Sequence, residues 1–182
     1  MMRVLGISGS LRADSYNTQL LHAARELLPE GAELELFDGL RELPHYDQDL
    51  DNDGVSASVQ ALRERVRAAD VLLIATPEYN GSIPGLLKNA IDWASRPRGS
   101  ASLTNKPVAV IGATAGAFGG VWAQAETRKA LGIAGAIVID ADIAVPHAPE
   151  CFADGGLIDA DFRAQLGELM RQLADYRIAD AA

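Results

Sequence analysis

Three short stretches carry residue types at spacings that can bind an anion and a flat ring. The first is Ser8-Gly9-Ser10-Leu11-Arg12-Ala13-Asp14-Ser15-Tyr16-Asn17. It brings hydroxyls, an amide and a guanidinium to the start of a helical pattern. A helix start attracts anions because its first N–H groups lack partners and its dipole is positive there. Arg12 adds a planar fork of donors that suits phosphate oxygens, and Gly9 lets the backbone come close. The plain alternative is a capped helix, with Ser15 or Asn17 as the cap. The second stretch, residues 77–93, reads PEYNGSIPGLLKNAIDW and follows the apolar run Val71-Leu72-Leu73-Ile74-Ala75-Thr76. Its prolines and glycine fix a turn with free backbone N–H groups at the carboxyl end of a strand, where ligands of open α/β sheets bind. That favours a planar ligand selected by shape. The third, Thr114-Ala115-Gly116-Ala117-Phe118-Gly119-Gly120, offers bare backbone to a flat edge.

Neither standard nucleotide loop is present. The Gly-Lys-Ser/Thr ending of a P-loop is missing, and Gly6 and Gly9 have the wrong spacing for a dinucleotide fingerprint. Asp38 ends the second strand pattern, where a ribose-binding acid would sit, but alone it reads as a solvated strand terminus. Other chemistry-bearing residues have plainer readings. His22 falls within a helical pattern, and His45 and His147 lie in separate loops. Asp47, Asp49, Asp51 and Asp53 lack the helical setting and closing glutamate of an EF-hand and read as a solvated acidic loop. Cys151 lacks a nearby histidine motif or a Cys-loop-Arg pattern. No catalytic side chain and no metal site are expected.

The elements that must position these loops follow from hydrophobic periodicity. Residues 3–8 read as a central parallel strand and 33–37, which alternate, as a more exposed one. Further strands are expected at 71–76, 108–112 and 136–139. Helices are expected at about 18–28, 55–69, 121–131 and 159–174, with one after residue 82 that ends near Arg96 and Pro97. Ser82 or Ile83 would cap that helix, with Pro84 in its first turn. Its apolar face includes Trp93, read as core or subunit contact. Residues 39–54 form a long acidic connection, and 146–156 a loop. This alternation predicts an α/β fold, one flavodoxin-like domain over residues 1–182. It would hold a five-stranded parallel sheet of order 2-1-3-4-5, with helices on both faces. In that order the first, third and fourth strands lie side by side, and the three loops form one site.

The chain has 182 residues, nearly half of them hydrophobic, so it can bury a sizeable core. With 16 Lys and Arg against 25 Asp and Glu, its net charge is −9, which disfavours nucleic acid and anionic membrane as partners. No apolar run suits a membrane span, no signal-peptide pattern opens the chain, and a single cysteine excludes an internal disulfide. A cytoplasmic protein is expected.

Taken together, GSLRxxSxN at 9–17, PEYNxSxPGxLKNAIDW at 77–93 and GxxGG at 116–120 resemble the NADPH-dependent FMN reductases, a family that includes quinone, azo-dye and chromate reductases. The resemblance implies that Ser10, Arg12, Ser15, Tyr16 and Asn17 hold the FMN phosphate. Pro77, Glu78, Tyr79, Asn80 and Gly81 would line the isoalloxazine, and Thr114, Ala115, Gly116 and Gly119 would meet its pyrimidine edge. It implies hydride transfer from NADPH or NADH through FMN to quinone, flavin, azo or metal-oxyanion acceptors, in a homodimer or homotetramer. In some relatives a fourth-helix tyrosine joins a tetramer contact; Ala125 stands near that position here. The alternative is a flavodoxin-like electron carrier without direct NAD(P)H activity.

Overall fold

The computed structural model describes residues 1–52 and 54–180. Its elements are β1 (Met2–Ser8), α1 (Tyr16–Glu26), β2 (Ala32–Phe37), α2 (Ala57–Ala68), β3 (Val71–Ala75), α3 (Gly85–Ala94), β4 (Pro107–Ala113), α4 (Val121–Ile133), β5 (Ile137–Val138), β6 (Ala144–Val145), α5 (Ala148–Cys151), β7 (Phe152–Ala153), β8 (Gly156–Leu157) and α6 (Ala160–Asp180). The main sheet is parallel in the order β2-β1-β3-β4-β5, with β6 also paired to β4. The flavodoxin-like order expected from the sequence is therefore present.

Every residue of β3 is buried, because both faces of the sheet are covered. Val71, Leu73 and Ala75 pack with Leu20, Leu21, Leu166 and Met170 of α1 and α6. Leu72 and Ile74 point the other way, to Leu62, Leu87, Trp93 and Leu131 of α2, α3 and α4. Period-two alternation across a doubly covered sheet produces these two cores from one apolar run. At the edge, β2 exposes Glu33 and Glu35 while burying Leu34, which explains its alternation.

The fifth strand forms within the expected 136–139, and beyond it the ladder is interrupted before β6. Ile139 N–H still donates to the Val108 carbonyl (2.8 Å) and Gly112 N–H to the Ile143 carbonyl (3.0 Å). Residues 140–142 leave the ladder between these bonds. The orphaned Val110 carbonyl is taken by Arg128 Nη2 at 2.9 Å, which also donates to the Ala141 carbonyl. A guanidinium from α4 thus replaces a length of strand backbone, as a buried carbonyl requires.

The connection over residues 39–54 contains two 3-10 turns, Gly39–Glu42 and Gln48–Leu50, and is docked rather than loose. Asn89 of α3 accepts from Tyr46 N–H (2.8 Å) and donates to the Pro44 carbonyl (2.9 Å), which also receives Trp93 Nε1 (2.8 Å). Asp51 pairs with Arg63 Nη2 at 2.7 Å, with side chains only 10% and 8% exposed. The expected solvated acidic loop therefore needs correction at Asp51. Asp47 and Asp49 are exposed, and Asp53 lies outside the described residues. Trp93 is fully buried, so it is core. The stretch 146–156, expected as plain loop, contains α5 and the hairpin β7–β8, turned by Asp154 and Gly155 at positive φ. Among the described residues, no helix is long and apolar enough to cross a membrane.

Candidate functional site

The three loops meet at the carboxyl ends of β1, β3 and β4, and they are bonded to one another. Gly9 N–H donates to the Ala75 carbonyl at 2.8 Å, and a Cβ on Gly9 would lie 3.1 Å from Pro77 Cδ. This joins the first loop to the second. Asn17 joins the first to the third: its Nδ2 donates to the Ala113 carbonyl (2.9 Å) and its Oδ1 accepts from Ala113 N–H (3.0 Å). Glu78 joins the second to the third by accepting from Ala123 N–H at 3.0 Å, in the first turn of α4. Gly120, which caps α4, carries no side-chain cap bond, so Glu78 supplies the missing acceptor and a negative charge at the positive helix end.

The first loop ends where α1 begins, two residues earlier than the periodicity predicts. Ser15 is the cap, its Oγ accepting from Thr18 N–H, which leaves the hydroxyl hydrogen free to donate. The N–H groups of Tyr16 and Asn17 begin the helix without intrahelical partners. Ser10 Oγ accepts from Arg12 N–H (3.3 Å), and a hydroxyl bond from Thr18 to Ser8 (2.9 Å) braces the turn below. Arg12 is exposed, with its guanidinium 5.4 Å from the Tyr16 ring centre and one nitrogen on the Asp14 carbonyl at 2.5 Å. Tyr16 in turn packs on Phe152 of β7, centroids 5.3 Å apart. Phe152 in the terminal hairpin therefore supports the arginine through an aromatic stack that sequence reading missed.

The Asn17 side chain has a partner that the resemblance does not imply. It is 3% exposed, and its whole amide is committed to Ala113, so its side chain acts as a clamp between α1 and β4. Only its backbone N–H faces the loop as a helix-start donor.

In the second loop, Tyr79 and Ser82 exchange backbone hydrogen bonds (3.2 and 3.1 Å) around Asn80 and Gly81, which have φ of 55° and 69°. Two successive positive φ values make a tight primed turn, which an Asn-Gly pair adopts readily. Tyr79, Asn80 and Gly81 are exposed, Glu78 is half-buried and Pro77 is buried. Neither expected cap serves α3: Pro84 takes the cap position without a side-chain bond. The Ser82 hydroxyl instead donates to Glu126 Oε2 (2.5 Å), which also accepts from Ile83 N–H (3.3 Å). The Ser82 hydrogen bond, then that of Ile83, holds the Glu126 carboxyl below its usual range.

In the third loop Thr114 N–H is spent on the Val145 carbonyl (3.0 Å), while Ala115 and Gly116 are exposed. Gly119 is buried, and a Cβ there would lie 2.5 Å from the Ala144 backbone at a φ of +61°. Its absent side chain admits β6, so close packing alone requires a glycine here. Phe118 and Trp122 stand exposed, with ring centres 5.0 Å apart. No spacing in the sequence marked them as a pair.

The chemistry on offer is anion binding at one end and shape-selective contact with a planar group at the other. Hydroxyls, an exposed guanidinium and a helix start form the first; the primed turn and exposed backbone of Ala115 and Gly116 form the second. This donor set fits a phosphorylated flavin. Cys151 is buried, and burial, with Asp159 and Glu150 adding to it, pushes its thiol pKa up. It is therefore poorly suited to be a nucleophile. Among the described residues, no three His, Cys, Asp or Glu side chains gather as metal ligands would. A groove of about 700 Å³ lies beside the loops between α3 and α4, lined by Lys88, Asp92, Arg96, Glu126 and Lys129 among others.

The family of NADPH-dependent FMN reductases matches the chain over residues 2–150. An NAD(P)H-dependent FMN reductase of Pseudomonas aeruginosa is 50% identical over 130 residues, covering 71% of this chain and 69% of its own. A 2-hydroxy-1,4-benzoquinone reductase of Burkholderia sp is 38% identical over 184 residues, covering 96% of each. Among solved structures, the flavoenzyme NAD(P)H:(acceptor) oxidoreductase FerB of Paracoccus denitrificans superposes with a TM-score of 0.88 at 35% identity, covering 98% of each chain.

Proposed function

This chain belongs to the NADPH-dependent FMN reductase family, FMN-dependent oxidoreductases that use NAD(P)H, and on that premise we propose that it reduces quinones and related small acceptors with FMN held across its three loops. The observation that carries the proposal is the joining of those loops, by Gly9, Asn17 and Glu78, into one surface with an anion end and a planar end. When bound, FMN supplies acceptance of hydride from nicotinamide and its delivery to a second substrate. The residues of this chain hold and bias it. Arg12, the Ser10 and Ser15 hydroxyls and the N–H groups of Tyr16 and Asn17 grip the phosphate. The turn over 77–81 shapes the seat of the ring. The exposed N–H groups of Ala115 and Gly116 would meet the ring edge where reduction builds negative charge, and fixed donors there would stabilise it. No side chain is assigned a proton transfer.

One open face serving donor and acceptor in turn gives ping-pong kinetics. The test is the visible spectrum of protein loaded with FMN, desalted, then given NADPH without oxygen. Flavin bands that persist and bleach, with colour restored by benzoquinone, support the proposal. Bands that persist but ignore both NADPH and NADH make the protein an electron carrier.

We further propose a homodimer or homotetramer working in the cytoplasm, where NAD(P)H is replenished. The exposed Trp122 and Ile133 of α4 support self-association, at 51% and 80% exposure. Light scattering should give at least twice the 19.3 kDa chain mass; the mass of one chain would end this part of the reading.

A further inference from the structure

The turn that presents Tyr79, Asn80 and Gly81 is held at only a few points. Its tip is exposed, and a Cβ on Gly81 would have no neighbour within 4 Å. Its two reciprocal backbone bonds close it on itself but do not fix it to the fold. Two carboxylates do that, one on each side. Before the turn, Glu78 reaches across to Ala123 N–H on α4. After it, α4 reaches back: Glu126 Oε2 receives the Ser82 hydroxyl at 2.5 Å and Ile83 N–H at 3.3 Å. Glu126 lies one helical turn beyond Ala123, so both attachments fall on adjacent turns of one rigid helix.

We infer that Glu126 is a positioning residue for the ring-binding turn, fixing residues 79–82 against α4 so that the planar site is preformed. The inference rests on the flavin reading above, but its mechanical part stands on the apo protein. A turn stitched at both flanks pays its ordering cost on folding rather than on ligand binding. Without Glu126, the turn keeps Glu78, the buried Pro77 and the packing of Ile83 on the core, but loses its polar attachment on the far flank. Glu126 itself is exposed and packs no core, so its removal leaves the fold intact. It touches no reacting atom and changes no proton.

The role is separable from catalysis and from stability by three variants. Glu126→Ala removes the acceptor; Glu126→Gln keeps an amide oxygen that still receives both donors; Ser82→Ala removes one donor. In apo protein, amide hydrogen exchange at Ile83 should speed up at least fivefold in Glu126→Ala and stay near wild type in Glu126→Gln. Loaded protein should show Glu126→Ala binding FMN and riboflavin three- to tenfold more weakly, by the same factor for each, since the phosphate end is untouched. The melting temperature should remain within about 2 °C of wild type, as for a surface substitution. The double variant Ser82→Ala, Glu126→Ala should be no worse than Glu126→Ala alone. Unchanged Ile83 exchange in Glu126→Ala overturns the inference. So does a Glu126→Gln that behaves like Glu126→Ala, because charge rather than the attachment would then be at work. If exchange responds as expected while wild-type protein binds neither flavin, the attachment stands and the flavin reading falls.

Discussion

Arg12→Ala should weaken FMN roughly ten- to hundredfold and leave riboflavin almost unchanged. A hydrogen bond to a charged group contributes about 1.5–3 kcal/mol, and about 1.4 kcal/mol is a factor of ten in affinity. The site around Arg12 explains why the full amount should appear. The guanidinium is exposed yet fixed, stacked 5.4 Å from the Tyr16 ring and tied by one nitrogen to the Asp14 carbonyl, so little side-chain entropy is lost when a phosphate arrives. Its charge stands against a chain of net −9, whose diffuse field repels phosphate. Lysine should restore only part of the loss, because an ammonium neither stacks on Tyr16 nor offers two parallel donors. Parallel fluorescence titrations of the two flavins decide it. Equal loss for FMN and riboflavin would mean that Arg12 shapes the ring site instead, and the phosphate end would have to move elsewhere.

Local pattern carried much of this protein, and the places where it stopped share a cause. The run Val71–Ala75 announces a buried strand, and the prolines and glycine after it a fixed turn, because each depends on neighbours within a few residues. The helix start capped by Ser15 is legible for the same reason. The role of the Asn17 side chain is not, since its partner Ala113 is 96 residues away and an asparagine at a helix start already has a sufficient local reading. Ser82 misleads in the same way: its local reading is a helix cap, but Glu126, 44 residues on, takes its hydroxyl. The interruption between β5 and β6 depends on Arg128 supplying a donor to Val110, and nothing in the run over 136–139 reveals that help. Each miss is a long-range hydrogen bond that overrides a local preference.

Those long-range bonds also explain why the site is one surface. Three loops on separate strand ends are near one another by topology, but nearness alone leaves each free to move. Gly9 to Ala75, Asn17 to Ala113 and Glu78 to Ala123 fasten them in a closed circuit. The Asn17 bonds are buried and run from a side chain at the anion end to the strand that leads into the third loop. Breaking them should therefore affect both stability and ligand fit.

Asn17→Ala should lower apo stability by about 2–5 kcal/mol, since each buried backbone group left without a partner costs about 1–3 kcal/mol. Both groups of Ala113 are affected: its residue is 2% exposed, and Asn17 was the partner of its N–H and its carbonyl at this end of β4. For a chain of this size that is a fall in melting temperature of at least about 5 °C. Flavin binding should weaken for FMN and riboflavin together, unlike the selective loss expected at Arg12. A phosphate ligand would behave the other way, with selective loss of FMN and an unchanged melting temperature, and that outcome would return the Asn17 side chain to the anion site. Asn17→Asp sharpens the test through its pH dependence. The carboxylate can still accept from Ala113 N–H, but it faces the Ala113 carbonyl with charge where a donor is needed. Burial and that repulsion should raise its folded pKa above the unfolded value of about 3.9. The unfolded state then releases its proton first, so the variant's stability relative to wild type should fall as pH rises from about 4 towards neutrality. At low pH the protonated acid can donate as the amide did. Melting curves of apo Asn17→Asp and wild type between pH 4 and 7.5 should diverge with rising pH, and parallel curves would show that the donor to Ala113 is not what holds α1 against β4.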